Sequence, residues 1–220
     1  MHTIKRIWIS VLLGGISVHC GSFSSKIPMI KEQTLTVQNE DATLVAHFIP
    51  ESDTVLTIRY RVENKASQPL YLFNKLYDGF DQDTLLTDRK LVYVFLNDGY
   101  ALLCKAIAPV PKGMGVAVKV YPCVTKVLPH AHFEETFVVH LPLSLQTPYR
   151  RPAGLSKRAI YKPLLFGLGY FVGTPFTEAQ ERKVITSDGP AIRFDAFTYE
   201  YQKWLRVGPL TEPAMIYETK

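Results

Sequence analysis

The chain has 220 residues and a formal net charge of +5, with 47% hydrophobic and 20% charged residues. That balance allows a substantial core and excludes a globally disordered chain. Much of the positive surplus lies at Arg150, Arg151, Lys157, Arg158 and Lys162, which makes it a patch and not the broad field of a nucleic-acid-binding protein.

The chain opens with Lys5 and Arg6, an uncharged apolar run from Ile7 to Val18, and the small residues Cys20, Gly21, Ser22 and Ser24. Basic, apolar, small is the order of a secretory signal peptide, read here as residues 1–22. The run is shorter than the roughly 20 apolar residues of a spanning helix, so no transmembrane span is expected in the mature chain. The expected location is the periplasm or the outside of the cell. Cys20 adds an alternative, acylation as the first residue of a lipoprotein. Residues Gly21 to Ser25 resemble the tether that follows such a cysteine, while His19 stands where a small residue belongs. Cleavage after Ser22, giving an unanchored product, is the simpler reading.

Residues 27–220 read as one β domain. Thr43–Ile49 alternates loosely, and Glu51-Ser52-Asp53 makes a turn. In Val55–Asn64, Leu56, Ile58, Tyr60 and Val62 alternate with Thr57, Arg59, Arg61 and Glu63, the period of a half-buried strand. A polar turn from Asn64 to Pro69 leads to a short strand, Leu70–Phe73, and then to a long loop, Asn74–Arg89. Lys90–Asn97 and Tyr100–Ala108 flank Asp98-Gly99, a dipeptide suited to a type I′ hairpin with positive φ at Gly99. That hairpin sets Leu96 against Ala101 and Tyr93 against Cys104. The face carrying Leu91, Tyr93, Phe95, Leu102, Cys104 and Ala106 is expected to point into the core, with Lys105 outside.

After the Pro/Gly-rich connection 109–115, strand chemistry resumes over Val116–Val127 and again over Phe133–Leu141. The basic, proline-punctuated stretch and the glycine-bearing run Leu164–Gly173 form an insertion or linker at 148–175. Those glycines point to a twisted strand or close backbone packing, and residues 184–207 read as closing strands. No window carries a capped helical period. The fold class is therefore all-β, an antiparallel sandwich with a less regular C-terminal extension.

The strand after the first turn, the polar turn at Asn64, and the Leu128-Pro129 turn leading into Phe133–Leu141 resemble, over roughly residues 34–145, the immunoglobulin-like sandwiches of exported bacterial proteins. The resemblance is one of architecture, and no tryptophan lies between Cys104 and Cys123. It implies an immunoglobulin-like β-sandwich and no particular activity.

Four groups of residues could carry function. Cys104 and Cys123 form an even pair for an oxidising compartment; a disulfide would close about 20 residues and add about 3 kcal/mol on the chain-entropy model, although the hairpin register does not bring them opposite, and two buried thiols are the alternative. His130, His132 and Glu134 share one face if extended, with His140 further along, and suit a divalent metal such as zinc, copper or iron; a solvated turn after Pro129 is the competing reading. Asp78, Asp81, Asp83 and Asp88 could bind calcium, without the spacing of an EF-hand. The basic run from Arg150 to Lys162 could meet an anionic envelope surface or serve as a solvated linker. No nucleophile elbow, phosphate loop or cysteine-nucleophile setting is present. The expected function is a non-enzymatic binding or structural protein of the bacterial cell envelope, without a cofactor, whose partner is an envelope protein or anionic surface. A metal-dependent envelope enzyme using His130, His132 and Glu134, and a secreted protease inhibitor, are the alternatives.

Overall fold

The computed structural model describes residues 29–81, 84–116, 120–149, 157–194 and 201–219. The proposed signal segment with Cys20, and Arg150 and Arg151 of the basic run, lie outside the described residues. In chain order the elements are β1 (Gln33–Gln38), β2 (Ala42–Ser52), β3 (Val55–Asn64), β4 (Leu70–Asp81), β5 (Thr84–Asp88), β6 (Tyr93–Leu96), β7 (Ala101–Lys105), β8 (Cys123–Val127), β9 (His132–His140) and β10 (Leu143–Ser144). There follow β11 (Lys157–Lys162), β12 (Leu164–Val172), the short helix α1 (Pro175–Ala179), β13 (Arg182–Thr186), β14 (Gly189–Arg193), β15 (Lys203–Val207) and β16 (Ala214–Thr219). The protein is all-β, with most strands paired antiparallel.

A four-stranded sheet has the order β1-β2-β3-β9. Its alternation is the one read from the sequence: Leu44, Ala46, Phe48, Leu56, Ile58, Tyr60 and Val62 are buried, and the residues between them face outward. This face lies on a larger sheet. Tyr60 meets Phe166 of β12 with ring centroids 5.3 Å apart, and Phe137 meets Phe166 at 5.6 Å. Offset and tilted aromatic contacts of this kind anchor the two layers beyond their buried area. One core cluster draws its members from Ile30 to Ile216.

The larger sheet runs β5-β13-β14-β8-β4-β12-β7-β6, and β15 also pairs with β12. Because β5 pairs with β4 as well as β13, the strands β4, β8, β14, β13 and β5 close on themselves into a small wing beside the sandwich. β10, β16 and β11 form a separate three-stranded sheet. The C-terminal third is thus integral to the fold, since β12 binds β4, β7 and β15 together. Gly167 and Gly169 serve close packing in that strand, as their spacing predicts.

Several expectations are corrected. The segment from Asn74 to Arg89 is no loop: β4 continues to Asp81 and turns back as β5, with a bulge at Tyr77/Gly79 and Gly79 at φ 155°. The β6–β7 hairpin has the expected register, Leu96 with Ala101 and Tyr93 with Cys104. Gly99, however, does not take positive φ, and nothing lies within 4 Å of where its Cβ would sit, so a side chain there meets neither strain nor crowding. The expected face is buried, but on the opposite side of the sheet from the sandwich core. Leu102 and Cys104 pack on the outer side of the large sheet, while Ala101, Leu103 and the fully buried Lys105 face the sandwich. Both sides of β7 are covered, so alternation could not say which one faced the core.

Candidate binding cleft

The site grows out of β9. Its odd-numbered residues Phe133, Glu135, Phe137 and Val139 point inward, an apolar set with one carboxylate among them. Opposite, β7 delivers Lys105, whose Nζ donates to Glu135 Oε2 at 2.8 Å and to the carbonyl of Arg89 at 2.5 Å. The Tyr60 hydroxyl donates to the same carboxylate oxygen at 2.5 Å, and the Lys105 ammonium lies 5.0 Å from the centre of the Phe137 ring, within cation–π range. Burial lowers the pKa of Lys105, and Glu135 opposes that shift. Burial, reinforced by Glu135, raises that of Tyr60. A buried charge needs such partners, because removal from water costs several kcal/mol per ion.

Through Glu135 and Arg89 this network borders a cleft of about 780 Å³ between β9 and the wing made by β8, β13 and β14, within the range of about 300–1,000 Å³ usual for ligand sites. Val124, Phe133, Val184 and Ile192 supply apolar wall, and Lys75, Arg89, Lys126 and Lys183 supply positive charge. Lys75 donates to the carbonyl of Pro190 at 2.6 Å and Arg89 to that of Asp188 at 3.1 Å, so these two cations meet carbonyls. Burial, then the neighbouring Arg89, lowers the Lys75 pKa. Asn74, also on the cleft lining, is 1% exposed and sits beside the Tyr60 hydroxyl, whose pKa its carboxamide lowers.

Lys126, on the same lining, donates to Glu178 Oε2 at 2.7 Å and Glu181 Oε1 at 2.8 Å, and the Tyr71 hydroxyl donates to Glu181. Burial pushes the Glu181 carboxyl up, but the bonds from Lys126 and Tyr71 outweigh it and hold the group below its ordinary 4.5. The unfolded chain therefore takes up this proton at higher pH than the folded one. The stabilisation is complete above pH 4.5 and is lost as pH falls through the folded pKa. Urea titrations at stepped pH are expected to show a shallower acid loss of stability for Glu181→Gln than for the unsubstituted protein; parallel losses would refute the coupling.

The sequence-derived candidates fall elsewhere. His132, Glu134 and His140 share the exposed face of β9, as the even spacing predicts, while His130 sits in the preceding turn with φ 58°. Glu134 pairs with Arg61 across the sheet at 3.0 Å. Among the described residues no three His, Cys, Asp or Glu side chains gather closely enough to hold a metal ion. Cys104 and Cys123 are free and buried, the second of the two readings: β7 lies between β6 and β12, β8 between β4 and β14, and no β7–β8 hairpin brings the thiols together. Burial pushes the Cys104 thiol up to about 12 and raises Cys123 too, which makes both poor nucleophiles. Asp88 accepts from the Lys90 amide at 2.7 Å, Asp78 is exposed, and Asp83 and the Asp81 side chain lie outside the described residues. Of the basic run, Arg158 is exposed on β11, and Lys162 is spent on the carbonyls of Asn97 and Asp98 at 2.6 and 3.1 Å.

Lys183 and the Lys105–Glu135 pair were not among the candidates, whereas Asn74, Lys75 and Arg89 belong to the stretch 74–89, expected from the sequence to be a long loop suited to partner contacts. The pair left a trace: Lys105 interrupts the apolar run 101–108, and Glu135 occupies an apolar parity position between Phe133 and Phe137. No family model matches the chain, and no curated protein or solved structure matches it either. Among the described residues no helix is long and apolar enough to cross a membrane.

Proposed function

We propose that this is an exported, non-catalytic binding protein of the bacterial cell envelope, an immunoglobulin-like sandwich that holds its partner in the cleft beside β9. The observation that carries the reading is a cleft of about 780 Å³ whose lining sets Lys75, Arg89 and Lys183 among apolar wall residues. A ligand pocket of this kind combines apolar wall with a few convergent polar groups. The Lys105–Glu135–Tyr60 cluster suits a structural role: Lys105 and Tyr60 are both 0% exposed, so neither reaches a substrate. The basic start, apolar run and small residues at 1–22 support export.

A photo-crosslinking residue tests the reading. Placed at Ile185, which lines the cleft and is 73% exposed, it is expected to give a discrete adduct in intact cells, in the envelope fraction. Placed at Thr36, on the exposed face of β1 at the opposite edge of the four-stranded sheet, it is expected to give none. The same adducts from both positions, or none from either, overturn the proposal.

A further inference from the structure

We infer that the cleft takes an extended, acidic peptide segment by strand addition to the outer edge of β9, an inference that rests on the cleft being the binding site. β9 ends the four-stranded sheet, and among the described residues no strand pairs with its other edge. The pairing tells which backbone groups that edge offers. Asn64 N–H donates to the Ala131 carbonyl at 2.9 Å, and Leu141 N–H donates to the Thr54 carbonyl at 2.8 Å. The register runs unbroken between these points, from Glu63 with His132 to Val55 with His140. In an antiparallel ladder hydrogen bonding to one neighbour alternates by residue. Phe133, Glu135, Phe137 and Val139 therefore bond to β3, and His132, Glu134, Thr136 and Val138 direct their N–H and C=O groups to the free edge. Two of these four, Glu134 and Thr136, line the cleft.

An open edge of this length is a template for another chain, and proteins usually blunt it with lysine, proline or a bulge. β9 has no lysine, proline or bulge over His132–His140, and its inward-pointing charge, Glu135, is spent on Lys105 and Tyr60. The edge also faces a wall, since the wing residues Lys183, Val184, Ile185 and Ile192 stand across the cleft. A single extended segment suits that space, whereas a second folded copy would have to insert a whole sheet edge. Backbone bonds supply affinity in strand addition, and alternate side chains supply selectivity. The side chains of the added strand that turn toward the wing meet apolar wall together with Lys75, Arg89 and Lys183, of which the first two are bonded to carbonyls. The lining carboxylates Glu134 and Glu135 are already matched by Arg61 and Lys105, so the wing selects carboxylates among apolar residues.

A displayed library of random peptides, panned on the full protein, provides the probe, and Thr136→Pro provides the control. Proline there removes an N–H that no strand among the described residues uses, a position edge strands tolerate, so the melting temperature is expected to stay within a few degrees. Enriched peptides, made synthetically, are expected to carry net negative charge, to slow hydrogen exchange at the Glu134 and Thr136 amides, and to bind Thr136→Pro and Lys183→Glu about tenfold more weakly. Three results overturn the inference: peptides that bind Thr136→Pro unchanged with no exchange protection on β9, no enrichment at all, or a concentration-dependent dimer in sedimentation that Thr136→Pro abolishes. Each leaves the crosslinking result at Ile185 to decide separately whether the cleft binds a partner of another kind.

Discussion

Glu135→Ala is expected to destabilise the protein by about 3–5 kcal/mol near neutral pH, the usual cost of stranding one half of a buried ion pair. Lys105 is 0% exposed, so once Glu135 is gone its ammonium keeps only carbonyl contacts at Arg89 and Asn74 and the face of the Phe137 ring. The Tyr60 hydroxyl loses its acceptor in the same step. The triple change Lys105→Met, Glu135→Leu and Tyr60→Phe removes both charges and the hydroxyl while roughly keeping volume. It is expected to recover most of the loss, because apolar replacements of buried pairs are often neutral or stabilising. Urea denaturation of the three proteins checks this. A loss below about 1 kcal/mol for Glu135→Ala, the size of an exposed ion pair, would mean that the pair is solvated.

Gly169→Val is expected to be at least as damaging, about 3 kcal/mol or more, from overpacking combined with a broken hydrogen bond. A Cβ at Gly169 would sit 2.4 Å from Gln202 Oε1 and 2.8 Å from the Ala106 Cβ. Gln202 Oε1 accepts from the buried Ile107 amide at 2.7 Å, so pushing it aside strands that N–H. Gly169→Ala carries the same clash with less bulk and is expected to fall between the two, while Gly115→Ala, with nothing within 4 Å, serves as the control. A midpoint for Gly169→Val within the error of the control in guanidinium titrations would sink this account.

The parts of the fold that could be read from residues were those where one face is wet. β2 and β3 alternate because their outer faces meet solvent, and the β6–β7 register followed from the Asp98-Gly99 connection. The reading failed where strands are covered on both sides. In β7 every residue is buried, so periodicity carried no direction and Lys105 was assigned outward. The hairpin of β4 and β5 was hidden by its bulge at Gly79 and by four aspartates that look like a loop. The cleft was illegible for a different reason: Asn74, Arg89, Glu135 and Lys183 come from β4, the β5–β6 connection, β9 and β13, and only tertiary pairing unites them. A lone lysine within 101–108 and a lone glutamate at apolar parity were the available signals, each ordinary until the other stands opposite.

The position of β12 in the large sheet also governs when this chain can fold. Its partners β7 and β4 are made more than fifty residues earlier, and β15 follows some thirty residues later. The antiparallel run of β1, β2 and β3 closes through neighbouring turns, but the face it must bury has no floor until β12 is in place. Pairings this distant in sequence must bear their loop-closure entropy before any contact repays it, which slows folding and prolongs exposure of apolar strands. Until β12 pairs with β4 and β7, the earlier hairpins lack their facing layer, and β12 is the strand that commits the sandwich.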